Sequence, residues 1–188
     1  MENQGQICFV DNLLPNGYTK KDKGGSAVYL EGREIPKGKG HEEGRRLLEE
    51  MYRRYVGGPM PQILLEERGK PYFADSPWHF SISHAPNHVF CALSTRPIGI
   101  DAEEVDRQIK LRLADKILSP MERQQFDAAS DKRLALLTFW VMKEAQGKYS
   151  GKGLAGYPNH TEFTLSDPRV REIDGCLVAV IEEEDHVI

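Results

Sequence analysis

Long apolar runs are missing. No stretch of about 18 consecutive apolar residues occurs in the 188-residue chain, so a membrane-spanning helix is not expected. The first residues, MENQGQICFVDNLL, lack the basic start and long apolar stretch of a signal peptide. The expectation is a cytoplasmic protein with no membrane partner. Cysteine is scarce. Cys8, Cys91 and Cys176 lie far apart, are odd in number and form no CxxC pair, which argues against a zinc site or a disulfide framework. Each sits in an apolar run (ICFV, FCAL, CLVAV), the setting of a buried free thiol. An excess of basic charge is also lacking. A net charge of −4 argues against broad nucleic-acid binding, so no nucleic-acid partner is expected. No segment repeats at a fixed period. What is present, 39% apolar and 29% charged residues, suffices for a packed core and does not indicate wholesale disorder. The length allows one sizeable domain or two small fused halves.

Residues 5–14 are compatible with a first short strand, and residues 15–40 read as Gly- and Lys-rich loops around a strand at SAVYL. From His41 the pattern is helical, with Leu47, Leu48, Met51, Tyr52 and Tyr55 on one face and Gly57-Gly58 as the stop. QILLEE, HFSISH, HVFCALST and IGID read as strands, separated by turns at RGKP and HAPN. SPMERQQF opens a helix: Ser119 caps, Pro120 suits the first helical position and Glu122 completes a capping box. A longer helix is expected from about Asp131 to Tyr149, ending near Gly151. TEFTLS and CLVAVIE are expected as closing strands. Strand-rich stretches around two helical regions make an α+β pattern, divisible near Pro97.

The stretch IGIDAEEV, residues 98–105, begins like a buried strand and turns acidic. Side chains on a strand alternate faces, so Asp101 and Glu103 point one way and Ala102 the other. Two carboxylates on one face repel unless a divalent cation, a basic side chain or solvent answers them. A solvated strand end is the ordinary alternative. In FWVMKEAQGKYSGKGL, residues 139–154, Trp140, Glu144 and Lys148 share one helical stripe. Leu134, Leu137, Val141 and Ala145 form the apolar stripe that would pack on a sheet. Lys143 lies about 100° round from Glu144 and could flank the same pocket. The plain alternative is an exposed Glu144–Lys148 pair worth a few tenths of a kcal/mol. Together, the strand-end carboxylates and Glu144 would make a hard, oxygen-only site of the kind magnesium shares with substrate phosphates.

Gly99-Ile100-Asp101 with Glu103, then Trp140-x-x-Lys143-Glu144-x-x-x-Lys148, then Gly151-x-Gly153-Leu154, resembles the signature of the 4′-phosphopantetheinyl transferases. Upstream, Gly69-Lys70-Pro71 and Phe80-Ser81-Ile82-Ser83-His84 are similar to the GKP and F-x-ISH motifs of the monomeric, surfactin-type branch. The four motifs span residues 69 to 154 in the family's order.

The resemblance implies an α+β fold, a pseudo-dimer of two similar α/β halves. Residues 1–97 would form the nucleotide side, and residues 98–188 would carry the metal-binding carboxylates and the catalytic helix. It implies transfer of the phosphopantetheine arm of coenzyme A to a serine of an acyl, peptidyl or aryl carrier protein. By the same resemblance Asp101, Glu103 and Glu144 hold Mg²⁺, or Mn²⁺, on the pyrophosphate. Glu144 accepts the serine proton, directly or through a water, and Lys148 contacts phosphate. Lys143 is a second phosphate contact. Ser83 and His84 match contacts to the 3′-phosphate, Lys70 and Pro71 lie near the nucleotide, and Arg45 is the basic residue of the first helix. Lys37 and Lys39 could add to a basic patch. The segment DRQIKLRLADKIL, with Arg107, Lys110, Arg112 and Lys116, is either a docking surface for an acidic carrier or an ordinary amphipathic helix.

The sequence departs from the family pattern in four places. Ser81 stands where many relatives have asparagine, Ala102 replaces a larger apolar residue, Gly147 replaces a bulkier one, and the N-terminal half is short. Two rival readings have the same carboxylates. One is a non-catalytic coenzyme A-binding module; the other is a metal-dependent phosphodiesterase.

Overall fold

The computed structural model describes residues 12–14, 17–21, 27–153 and 161–182. Three short strands open the chain: β1 (Asn12–Leu14), β2 (Gly17–Lys21) and β3 (Ala27–Glu34). Helix α1 (Gly40–Tyr55) follows, then β4 (Ile63–Leu65), β5 (Pro71–Phe73), β6 (His79–His84), β7 (His88–Ser94) and β8 (Ile98–Glu104). After a 3₁₀ turn at Leu111–Leu113 come α2 (Ala114–Ile117), α3 (Pro120–Ala128) and α4 (Lys132–Ser150), then β9 (Val170–Ile173) and β10 (Cys176–Glu182).

Every strand pairing among the described residues is antiparallel. One sheet runs β1-β2-β3-β7-β6, a second β8-β10-β9, and β4-β5 form a separate hairpin. Helices segregated onto antiparallel sheets bear out the α+β class. Helix α1 buries Leu47, Leu48, Met51 and Tyr52 against Phe73, Phe80, Val89, Cys91 and Leu93. Helix α4 buries Leu136, Leu137, Val141 and Ala145 against Leu177, Ala179 and Ile181. A third cluster lies between the two sheets, where Val28, Leu30, Phe90 and Ala92 meet Ile98, Ile100, Ala102, Val178 and Val180.

The alternation expected at residues 98–105 follows from that packing. Ile98, Ile100 and Ala102 serve the inter-sheet core. Gly99, Asp101 and Glu103 take the other face, towards α4. At the sheet edges, β6 and β8 meet through serine hydroxyls. Ser81 Oγ accepts the Ile100 N–H at 3.0 Å and Ser83 Oγ accepts the Ala102 N–H at 3.1 Å. This accounts for a serine at position 81.

Capping chemistry decides the C-terminal helices. Ser119 and Glu122 form the expected reciprocal capping box at α3. Asp131 caps α4 through the Leu134 N–H at 2.9 Å, and Gly151 ends it with φ +68°. Cys91 and Cys176 are free and buried, and burial pushes the Cys176 thiol up to about 12. Cys8, Leu154 and most of the strand expected at 5–14 lie outside the described residues.

Four expectations need correction. Residues 17–21, expected in a loop, form β2 paired with β1 and β3. TEFTLS forms no strand. Its backbone is served by α3 side chains instead: Phe163 N–H donates to Glu122 Oε1 and Leu165 N–H to Gln125 Oε1, both at 3.0 Å. The GKP turn continues directly into β5, and β9 follows the irregular stretch; both strands are too short for a periodicity to mark them. DRQIKLRLADKIL is not one helix but a turn, a 3₁₀ turn and the four-residue α2. Among the described residues no helix is long and apolar enough to cross a membrane.

Candidate active site

Glycine sets the distance between α4 and β8. A Cβ on Gly99 would stand 2.2 Å from the Ala145 carbonyl oxygen and 2.3 Å from the Tyr149 nitrogen. Only the bare backbone permits this approach, and it brings the Glu144–Lys148 turn of α4 over Asp101. Gly147 has a similar reason. It is buried, the Gly153 N–H donates to its carbonyl at 3.2 Å, and a Cβ there would press on Gly153 at 3.1 Å.

Lys148 does not form the simple surface pair with Glu144. Its ammonium reaches across to β6 and β8, donating to Asp101 Oδ1 at 2.8 Å, Ser83 Oγ at 2.9 Å and the Ile82 carbonyl at 3.3 Å. Ser83 in turn donates to Asp101 Oδ1 at 2.8 Å. Asp101 is 6% exposed, and its second oxygen, Oδ2, is buried with no hydrogen-bond partner. Glu103 is paired with Arg107, whose guanidinium lies 5.6 Å from the centre of the Trp140 ring. Its neighbour Glu104 turns to the other side and accepts from the Asn87 backbone and side chain at 3.1 and 2.9 Å.

These groups line a recess of about 330 Å³ that includes Ser83, His84, Asp101, Glu103, Trp140, Glu144 and Lys148. Burial raises the Glu144 carboxyl above its ordinary range and the charge of Asp101 adds to the effect, while Lys148 and Arg107 act oppositely. Burial is also the main cause that raises Glu103. Asp101 adds to it; Arg107, the Trp140 indole N–H and Lys148 oppose it. A carboxylate lifted in this way is a better proton acceptor than a solvated one.

A longer cleft of about 520 Å³ shares Glu144, Lys148 and His84 with the recess and runs between α1 and the β4–β5 hairpin. Its walls carry His41, Arg45, Arg68, Lys70 and Pro71. The GKP motif makes the hairpin turn, with Gly69 at φ +85° and Pro71 starting β5. That geometry sends Lys70 inward, where it donates to the Tyr149 carbonyl at 2.5 Å and burial lowers its pKa. His84 ends β6 and packs on Gly40, where a Cβ would lie 2.6 Å from the imidazole Cγ.

Nine of the ten predicted positions thus line the recess or the cleft that shares residues with it: Arg45, Lys70, Pro71, Ser83, His84, Asp101, Glu103, Glu144 and Lys148. Lys143 does not join them. Its side chain is 7% exposed and forms a 2.8 Å ion pair with Glu122, which is fully buried. The rotation of about 100° from Glu144 turns Lys143 into the α3–α4 core instead of flanking the pocket. Ser83 lies in the floor, with its hydroxyl engaged by Asp101, Lys148 and the Ala102 N–H. Two residues acquire a part that sequence reading missed. Glu122 looked like a cap alone, and Arg107 like part of a docking segment; the i, i+4 spacing from Glu103 was the available signal for Arg107.

The donor set suits a hard cation. The three carboxylates offer oxygens, one of them a buried carboxylate oxygen without a partner. The carboxylates surround the recess without closing on one point: among the described residues, no three His, Cys, Asp or Glu side chains form a ready metal cage.

A family model described as the 4′-phosphopantetheinyl transferase superfamily matches residues 97–180, which contain β8, α4 and the carboxylates. The chain is 36% identical over 116 residues to the 4′-phosphopantetheinyl transferase psf-1 of Bacillus pumilus, covering 59% of this chain and 48% of that protein. It is 40% identical over 94 residues to the 4′-phosphopantetheinyl transferase Sfp of Bacillus subtilis, covering 48% and 41%. It is 34% identical over 122 residues to the 4′-phosphopantetheinyl transferase HetI of a Nostoc species, covering 60% and 52%. The matches span about half the length of these curated relatives. Residues 97–180, with their strand-end carboxylates and the helix that answers them, are thus similar to the 4′-phosphopantetheinyl transferase superfamily.

Proposed function

We propose that the chain transfers the 4′-phosphopantetheine arm of coenzyme A to a serine of an acyl, peptidyl or aryl carrier protein and releases 3′,5′-ADP. The observation that carries this reading is a recess lined by Asp101, Glu103 and Glu144 that shares His84, Glu144 and Lys148 with a longer cleft carrying Arg45, Arg68 and Lys70. Arg45, Lys70, Pro71 and His84 would meet the nucleotide and its 3′-phosphate, with His41 and Arg68 beside them. Ser83 would hold Asp101 and Lys148 in place. The pyrophosphate would lie at Lys148.

The reaction forms a bond from the serine oxygen to the β-phosphorus and breaks the bond from that phosphorus to the bridging oxygen. Glu144 takes the hydroxyl proton, directly or through a water. Lys148 turns from Asp101 to the phosphate and stabilises the charge left on 3′,5′-ADP. Asp101, Glu103 and Glu144 would hold Mg²⁺ or Mn²⁺, which would supply charge neutralisation at the pyrophosphate. Positioning and charge account for most of such a transfer.

The same proposal reads residues 1–97 and 98–188 as the two halves of a pseudo-dimer in a cytoplasmic monomer. A sheet with one long helix on each side of the inter-sheet core supports it. Lys110, Arg112 and Lys116 beside the exposed Leu111 and Met121 favour docking of an acidic carrier on that flank.

The test is mass spectrometry of a panel of apo-carriers incubated with the protein, coenzyme A and Mg²⁺. One phosphopantetheine added to the carrier serine is the expected result. Coenzyme A binding without transfer to any carrier would leave a non-catalytic module, and ADP release without a carrier would mark a phosphodiesterase.

A further inference from the structure

Each strand-end carboxylate has its own basic side chain. Asp101 has Lys148, and Glu103 has Arg107. Arg107 is held for this task by several contacts. The chain turns back just after β8, with the Arg107 N–H donating to the Glu104 carbonyl at 2.9 Å and the Val105 N–H to the Gly175 carbonyl at 2.9 Å. From α4, Arg133 donates to the carbonyls of Val105 at 2.5 Å and Arg107 at 3.3 Å, which pins the turn. The side chain then returns over Glu103 with its guanidinium on the Trp140 ring. Its backbone is clamped while its side chain remains 38% exposed, so the charged end can move alone. There is room for that movement: Arg107 also borders a cavity of about 610 Å³ shared with His41, His84 and Glu104.

We infer that Arg107 is an internal counter-ion that occupies Glu103 in the metal-free protein and must be displaced before Glu103 can hold a divalent cation. The inference rests on the reading that Asp101, Glu103 and Glu144 bind such a cation. A guanidinium bonded to Glu103 takes up an oxygen that a metal needs, and its positive charge opposes the arrival of another. The benefit in the metal-free state is also electrostatic. Without Arg107, Glu103 would face Asp101 and Glu144 with only the Trp140 indole N–H and the more distant Lys148 charge to offset them. Trp140 gives the guanidinium a flat seat that holds it near the carboxylate. Arg107 is thus a positioning residue that sets metal affinity, and it takes no part in the chemical step. Lys148 holds Asp101 in the same manner, but its place at the phosphate makes it the poorer test.

The experiment is direct Mn²⁺ titration of the full chain, followed by the electron paramagnetic resonance signal of free Mn²⁺, with and without coenzyme A. Arg107→Ala should bind Mn²⁺ at least about fivefold more tightly than the parent. Arg107→Gln, which keeps most of the stem on Trp140, should shift the same way, and Arg107→Lys should stay near the parent. The gain must act through Glu103, so adding Arg107→Ala to Glu103→Gln should produce little further change. Unchanged or weaker binding in both neutral variants would overturn the inference, as would an equal gain in the Glu103→Gln background. If the parent and all variants fail to bind Mn²⁺ even with coenzyme A, the metal reading itself falls and this inference with it.

Discussion

Lys148 lies one helical turn from Glu144, and spacing alone favours an exposed pair between them. The ammonium instead crosses to Asp101 and Ser83, buried partners on two different strands. Removing a surface pair would cost about 0.3–0.5 kcal/mol of stability and no turnover. A lysine that turns to the transferred phosphate stabilises charge growing in the transition state. Lys148→Ala should therefore lower kcat at least about tenfold, or roughly 1.4 kcal/mol, with a smaller change in KM for coenzyme A. Steady-state kinetics on a set of coenzyme A concentrations separates the two. Glu144 carries a pH signature. Burial, with Asp101 adding, raises its carboxyl above the ordinary 4.5. The native metal-free protein thus keeps this proton to higher pH than the unfolded chain. Stability falls as pH rises from 4.5 through the native value, and the loss persists above it. Glu144→Gln removes the buried charge. In chelator-treated protein it should raise the melting temperature at neutral pH, with the gain shrinking below about pH 4.5, while transfer is nearly abolished. Thermal melts across that range check the sign, and an equal shift at all pH values would exclude the titration as its source.

Among the elements, α3 and α4 are joined by one fully buried carboxylate. Glu122 Oε2 accepts the Ser119 N–H and meets the Lys143 ammonium, both at 2.8 Å, while Oε1 accepts the Phe163 N–H at 3.0 Å. One side chain therefore caps α3, anchors α4 and holds the 161–166 stretch. This explains why TEFTLS, with good strand residues, is no strand: its backbone groups find partners on α3 rather than on a sheet edge. Lys143→Met leaves Glu122 buried without its cation and should cost about 3–5 kcal/mol in urea unfolding. The combined Lys143→Met and Glu122→Gln variant should recover part of that loss, because the bare charge is gone. A phosphate-binding lysine would behave otherwise, raising KM for coenzyme A and leaving stability nearly unchanged.

At the scale of the whole molecule, the two sheets share one apolar core and meet edge to edge through Ser81 and Ser83. Neither face of that core is covered without the other, so the sheets should unfold together. The protein has two tryptophans, Trp78 just before β6 and Trp140 on α4, and each reports on one side. Single-tryptophan variants made by Trp→Phe should give coincident denaturant midpoints, after allowance for each variant's own stability; two separated transitions would show independent halves. Much of the site was legible locally. The two-residue period of β8 puts Asp101 and Glu103 on one face, and the helical period of α4 aligns Trp140, Glu144 and Lys148. Ser119, Asp131 and Gly151 mark helix ends because capping is decided within a few residues. By itself, then, the sequence determined the two long helices and their caps, the alternating faces of β8 and most residue types of the cleft, but not β5, β9, the irregular 161–166 stretch or the inward turn of Lys143. Tertiary structure decided which acid the two helix lysines answer: Lys148 goes to Asp101 and Lys143 to Glu122, whereas the Arg107–Glu103 pair matches a local i, i+4 spacing. Lysine and arginine side chains are long, and several carboxylates lie within reach of each. The choice among them is made by burial and by the approach of α4 to β8 at Gly99, contacts between residues far apart in the chain that no local period records.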